Sequence, residues 1–361
     1  MTGHVEVCDG RHHPSEGAMS NTGPDATRIA VLIVSYGNPG DVDRCLKSLA
    51  RSDFENFDVF ICENGGPEAY ASLMEVIAHE HGTLQQIEDC SHQLDRPGGR
   101  LASVAKCRFR SRSNLVRVAL AIDNLGYAGG VNAWLEKLLG QPEWHAVLVL
   151  NPDTEVVETC LSQLVAKAAE GYGMVGGVLV FDDSPNKVAN YGLRWSALTG
   201  RVIAVGRNSP AGRRLTPEIV ERIDAISGAC MLVTRDFIAD VGLMMDDYFL
   251  YMEDLDWGRR RASHRIGVAE GALIRHVGGT TIGSAVDPRD QSHLSVYLSA
   301  RNGILYSRRR AGWRWVFHSA IWMLYALRYL LLGAPAAARL TIAGLWHGIN
   351  GRTGRPEISF D

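Results

Sequence analysis

Three short stretches hold residues whose chemistry is hard to explain as packing. YMEDLDW, residues 251–257, puts Glu253, Asp254 and Asp256 within four positions. Like charges so close raise one another's pKa, which prepares one of them for proton transfer. The alternative is an exposed acidic helix start complementing the helix dipole. Tyr248, Phe249, Leu250, Tyr251 and Trp257 argue against full exposure. NPDT, residues 151–154, ends an apolar run with Asp153, a hard oxygen ligand suited to Mg²⁺ or Mn²⁺ carrying a diphosphate. A helix cap would use the same residue. His276 precedes Gly278-Gly279; it is a second metal ligand if Asp153 binds a cation, and otherwise a structural histidine.

The elements that must position these residues are legible as alternating patterns. Ile29–Val34 is a β-branched apolar run, read as a buried strand. Val42, Cys45, Leu46 and Leu49 recur at helix spacing. Asp58–Cys62, Leu115–Ile122 and Ala146–Leu150 follow as strands, with helices around Tyr70–Ile77 and Trp134–Leu138. This β-α-β order predicts a largely parallel sheet covered by helices on both faces. Ligands gather at the carboxyl ends of such strands. Polar groups stand there four times: Ser35-Tyr36, Glu63-Asn64, Asn124 and Asp153. NLGYAGGVN, residues 124–132, is a glycine-rich strand-to-helix turn where backbone can approach an anion, or a tight turn with no ligand. It lacks both GxGxxG and a P-loop lysine. Residues 82–113 lose the pattern and read as a loop or insertion. Met174–Phe181, Ile226–Thr234 and Ile266–Ile274 are further strands.

The chain has 361 residues and a formal charge of −3. Its length suits a large core, and 46% hydrophobic content excludes a disordered chain. Seven cysteines without a CxxC pair exclude a zinc knuckle and suggest a reducing cytosol. Residues 301–361 hold nine arginines against two acids, +7, leaving −10 for residues 1–300. That asymmetry points to an anionic surface near the C-terminus and away from general nucleic-acid binding. Residues 1–27 read as a disordered tail and not as a signal peptide. Residues 313–350 contain no long uninterrupted apolar span. Arg314, His318, Tyr325 and Arg328 fall on one helical stripe with Trp315, Trp322 and Tyr329 beside it, the pattern of an interfacial helix lying in the membrane plane or of a core-packing one.

Taken in order, VLIVSYGNP (31–39), ICENGG (61–66), NLGYAGGVN (124–132), VLVLNPDTEV (147–156), SGACMLVTRDF (227–237), DDYFLYMEDLDWGRR (246–260), IRHVGG (274–279) and YLSARN (297–302) resemble glycosyltransferase family 2. The similarity is to its inverting, rhamnosyltransferase-like branch. The resemblance implies a GT-A fold: a Rossmann-like, mostly parallel central sheet with flanking helices, here followed by a C-terminal helical membrane-associating segment. It divides the chain into a glycosyltransferase domain at 28–305, with a nucleotide-sugar half (28–156) and an acceptor half (157–305), and basic amphipathic helices at 306–361. It implies that Ser35, Tyr36, Glu63 and Asn64 line a base pocket, and that Asn124, Gly126 and Asn132 border the nucleotide-sugar. Asp153 and His276 would hold Mg²⁺ or Mn²⁺ on the diphosphate, and Arg301 would contact it. Asp254, beside Glu253, would be the base. Two positions depart from the family pattern: Glu63 stands where Asp is usual, and Asn151 replaces the first acid of DxD.

The implied reaction moves a sugar, rhamnose for example, from a dTDP-, UDP- or GDP-sugar to a lipid-linked saccharide, by an enzyme bound peripherally to the inner face of the cell membrane. A sugar nucleotidyltransferase is disfavoured because Ser35–Pro39 holds no basic residue. A processive synthase is disfavoured by AGWRW at 311–315, where QxxRW is usual. A non-catalytic donor-binding scaffold is the remaining alternative, against which Asp153, Asp254 and His276 argue.

Overall fold

The computed structural model describes residues 27–89, 99–276 and 291–357. The expected N-terminal tail and Gly278-Gly279 lie outside the described residues. The chain begins β1 (Ile29–Ser35), α1 (Pro39–Leu49), β2 (Phe57–Glu63), α2 (Pro67–Ala78), β3 (Leu84–Asp89), β4 (Leu101–Phe109) and β5 (Leu115–Ala121). Next come α3 (Gly126–Leu138), β6 (Ala146–Leu150), β7 (Thr154–Val156), α4 (Cys160–Ala169), β8 (Tyr172–Phe181) and β9 (Val188–Asn190). Then follow β10 (Gly192–Ser196), β11 (Arg201–Val205), α5 (Pro217–Val220), β12 (Cys230–Thr234), α6 (Arg235–Val241), α7 (Glu253–Arg259) and β13 (Arg265–His276). Three helices close the chain: α8 (His293–Arg310), α9 (Arg314–Leu331) and α10 (Pro335–Ile349).

One sheet runs β3-β4-β5-β2-β1-β6-β12-β8-β13-β7, with β9 on β8. β5, β2, β1 and β6 are mutually parallel, β8 and β13 are parallel, and β12 runs antiparallel between β6 and β8. Alternation along β1 explains why helices cover both faces. Ile29, Val31 and Ile33 enter one core with Val42, Leu46, Leu73 and Leu161. Ala30 and Leu32 enter the other with Val131, Trp134 and Phe237. Burying each large aliphatic chain contributes roughly 1.5–3 kcal/mol. The sheet is continuous across residue 156, because β7 pairs with β13.

Two expectations are corrected. Residues 82–113 include strands: β3 and β4 extend the sheet edge antiparallel, with Val104, Cys107 and Phe109 buried. The interleaved Lys106 and Arg108 made the segment read as loop, whereas an edge strand wets one face. The stripe expected on α9 is split, with His318 buried and Arg314 and Arg328 exposed. His318, Trp322 and Ala326 face the protein, with His318 bonded to Ser307 Oγ (3.0 Å) and the Ala197 carbonyl (3.1 Å). The outer face carries Val316, Phe317, Met323, Leu324, Leu327 and Leu331, the last 80% exposed. Among the described residues no helix is long and apolar enough to cross a membrane. The Arg308–Arg310 run is largely committed internally: Arg308 to the Ile349 carbonyl (2.5 Å), Arg309 to Asp247 and Arg310 to Asp256 (3.3 Å).

Candidate active site

The carboxyl ends of β1, β2 and β6 open onto a cavity of about 780 Å³. Ser35, Tyr36 and Asn64 line it from the first two strands, Asn124 and Gly126 from the turn before α3, and Asp153 from the turn after β6. His276 enters from the end of β13, and Glu253 and Asp254 from the start of α7. Residues from distant parts of the sequence thus converge on one space, and neither Asp153 nor Asp254 is paired with an arginine among the described residues.

Glu63 and Asn132 stand behind the wall. The Glu63 carboxylate accepts from Ser35 Oγ (2.5 Å), Gly37 N (3.0 Å) and Gly65 N (2.7 Å), so it ties the loops after β1 and β2 together. Asn132 bonds the Met244 carbonyl (2.8 Å) and amide (3.2 Å) from inside α3. Gly126 has φ +71°, and a Cβ there would come 2.3 Å from the Phe249 carbonyl. That carbonyl accepts instead from Tyr127 N at 2.8 Å, joining the glycine-rich turn to the acid loop.

The three acids of 253–256 separate because α7 turns about 100° per residue. Asp256 points inward and is held by Arg260 at 2.7 Å, while Glu253 and Asp254 face the cavity. Burial pushes Glu253 up to about 8, assisted by the Asp254 charge, and its Oε2 has no hydrogen-bond partner among the described residues. Asp254 is also raised by burial, but amides oppose this: Gly228 N reaches Oδ2 at 3.2 Å and Leu255 N reaches Oδ1 at 2.7 Å. These amides favour the charged form of Asp254. A carboxylate of raised pKa facing a cavity can accept a hydroxyl proton.

Asp153 Oδ1 and His276 Nε2 lie 3.3 Å apart, both buried and without a hydrogen bond. Two orphaned donor atoms of this type converging at a strand end fit a divalent cation. No cluster of three or more metal-ligating side chains occurs among the described residues, so a cation here would draw its other ligands from substrate and water.

Arg301 does not reach the cavity, contrary to expectation. Its guanidinium donates to the carbonyls of Gly354 (2.8 Å) and Tyr248 (2.9 Å) and to Asn302 Oδ1 (2.9 Å). Asn302 Nδ2 lies within reach of the Tyr248, Leu250 and Tyr251 carbonyls at 2.9, 2.7 and 3.1 Å. Sequence reasoning missed this clamp. Its purpose is visible in the backbone: Phe249, Tyr251 and Met252 adopt φ of +65°, +68° and +80°. Left-handed non-glycine residues cost about 1–3 kcal/mol each unless their surroundings hold them. Asn302→Ala is expected to lower kcat roughly ten-fold or more with little change in donor KM, and to destabilise the fold by about 1–3 kcal/mol. Steady-state kinetics with thermal melts check both. Tyr127, also missed, donates its hydroxyl to the Gly228 carbonyl (2.7 Å) beside the Asp254 contact.

The carboxyl edge of a mostly parallel sheet meets an acid pair in one cavity, the arrangement expected above of a GT-A group-transfer enzyme. The family model described as "Glycosyltransferase like family 2" matches residues 24–293, and the chain belongs to that family. Family membership places it among the glycosyltransferases. The chain is 24% identical over 258 residues to the low-salt glycan biosynthesis hexosyltransferase Agl10 of Haloferax volcanii, covering 65% of this chain and 76% of that one. It is 28% identical over 213 residues to an N-acetylglucosaminyl-diphospho-decaprenol L-rhamnosyltransferase of Mycobacterium tuberculosis, covering 53% and 67%. Among solved structures it is similar to the mannosyltransferase PcManGT from Pyrobaculum calidifontis with GDP-Man and Mn²⁺, with TM-score 0.47 and 12% identity, covering 91% and 76%.

Proposed function

We propose that the chain transfers a hexosyl residue, with inversion, from a nucleotide-sugar to a saccharide carried on a lipid diphosphate. The observation that carries this reading is the shared cavity of Asp254 and the Asp153–His276 pair. Inverting transfer is a single displacement, so it needs one base for the acceptor hydroxyl and charge compensation for the departing diphosphate. Asp254 supplies the base. Asp153 and His276 are the residues to hold Mg²⁺ or Mn²⁺, and a cation bound there would neutralise charge on the leaving diphosphate. Ser35, Tyr36 and Asn64 fit a base pocket, with Glu63 and Asn132 supporting its wall. The decaprenol-linked acceptor in the mycobacterial relative's name favours a polyprenyl carrier, and its rhamnosyl donor makes dTDP-rhamnose the first substrate to test.

The test is a panel of dTDP-, UDP- and GDP-sugars with a short-chain N-acetylglucosaminyl-diphospho-prenol, with Mn²⁺ or with EDTA. One donor should release its nucleoside diphosphate in step with product of inverted anomeric configuration, and only with the metal. Absence of turnover across the panel would overturn the reading.

Membrane association belongs to the same proposal. The apolar outer face of α9 is flanked by exposed Arg314 and Arg328, which have no carboxylate partner among the described residues. An apolar strip bordered by cations suits an anionic bilayer surface. Vesicles of phosphatidylglycerol should co-sediment the protein at low salt, and Leu324→Lys with Leu327→Lys should reduce retention several-fold at unchanged melting temperature. Equal retention of both forms would count against it.

A further inference from the structure

The cavity has a second polar end that the transfer chemistry leaves unused. Its wall includes Arg201, at the start of β11, and Trp322 of α9. Arg201 donates to the Tyr325 hydroxyl, and its guanidinium lies 4.1 Å from the Tyr325 ring centroid and 5.6 Å from that of Trp322. The other guanidinium lining the cavity, Arg355, is paired with Asp123 at 2.9 Å. Arg201 has no carboxylate partner among the described residues. A guanidinium fixed by stacking, half-buried and without a counter-ion is an anion receptor.

Its surroundings narrow the anion. Val202, next in sequence, both lines the cavity and is partly exposed, and the β10–β11 hairpin also exposes Leu198 (72%) and Ile203. The hairpin packs on α9 through His318 and the Ala197 carbonyl, whose helix carries the exposed apolar face described above. A cation thus lines the cavity next to exposed apolar side chains. We infer that Arg201 binds the diphosphate of the acceptor lipid, with the saccharide in the cavity and the hydrocarbon chain across Leu198, Val202 and Ile203. This rests on the lipid-linked reading above and adds to it a site and an orientation.

The experiment is calorimetric binding, in EDTA, of farnesyl diphosphate, farnesol and inorganic diphosphate to the full chain, which needs no turnover and so stands apart from the donor panel. The wild type should bind farnesyl diphosphate at least about ten-fold tighter than either fragment. Arg201→Ala should weaken it about 10- to 100-fold, the span of a charge-assisted contact. UDP and dTDP binding with Mn²⁺ should be unchanged. Leu198→Asp, at an exposed position that leaves the fold intact, should weaken farnesyl diphosphate and leave inorganic diphosphate unaltered. Undiminished farnesyl diphosphate binding by Arg201→Ala would overturn the inference. So would a loss confined to the nucleotides, which would assign Arg201 to the donor.

Discussion

Replacing Asp254 by Asn is expected to reduce transfer by about 10²–10⁴-fold, the usual contribution of a positioned general base, while nucleoside diphosphate affinity stays within a few-fold of wild type. The amide keeps the shape of the side chain but has lost the basic oxygen. Both carboxylate oxygens also accept backbone amides, from Gly228 and Leu255. One of these will face the new NH₂ group, at a cost of about 1–3 kcal/mol. A melting curve must accompany the kinetics, so that lost chemistry is separated from lost fold. Discontinuous product assays and calorimetry with UDP or dTDP decide the matter. Near-wild-type turnover would dismiss Asp254 as the base.

The acid pair makes the pH dependence specific. Burial raises Asp254, so transfer should fall on an acidic limb placed above the ordinary aspartate range. Burial and the Asp254 charge raise the Glu253 carboxyl to about 8, so it stays protonated through the acid range. Glu253→Gln should therefore leave the acidic limb of kcat/KM in place. The stability effect has the opposite reach. An unfolded Glu loses its proton near 4.5, the folded one near 8, so folding loses stability as pH rises through that window. Glu253→Gln has no such proton, and its melting temperature should gain on wild type steadily from pH 5 to pH 8.

What the sequence disclosed and what it hid follow from the same physics. Strand ends were legible because β1, β2 and β6 carry runs of four or more apolar residues, each followed by a polar one: Ser35, Glu63 and Asn151. Asp153 and His276 converge because β6 and β13 end at the same sheet edge, and the start of α7 brings Asp254 to the same cavity. Side-chain direction was not legible. Arg301 has the type and position of a diphosphate contact, yet three left-handed residues in 249–252 need its donors more, and this strain has no signature in composition. Periodicity found the stripe through His318 and Arg328 on α9, but whether a stripe faces protein or solvent depends on its neighbours. Ser307 and the Ala197 carbonyl gave His318 buried partners, and turned the leucines outward.

Asp153→Ala should bring the second large loss, on the order of 10²–10³ in transfer, because charge stabilisation of a leaving diphosphate is worth several kcal/mol. Its Oδ1 faces His276 Nε2 at 3.3 Å with no other partner for either atom among the described residues, so the variant removes the anionic member of the pair proposed to hold a cation. A neutral imidazole alone binds Mg²⁺ or Mn²⁺ poorly, since hard cations favour anionic oxygen. The variant should therefore lack the Mn²⁺-dependent gain in UDP or dTDP affinity expected of wild type, while the two proteins bind nucleotide alike in EDTA. His276→Ala should fall between them, since the carboxylate remains. Manganese binding followed by electron paramagnetic resonance gives a readout independent of turnover. If Asp153→Ala retained both the metal signal and the metal-dependent nucleotide affinity, the Asp153–His276 contact would be an ordinary ion pair and the cation would have to be sought elsewhere in the cavity.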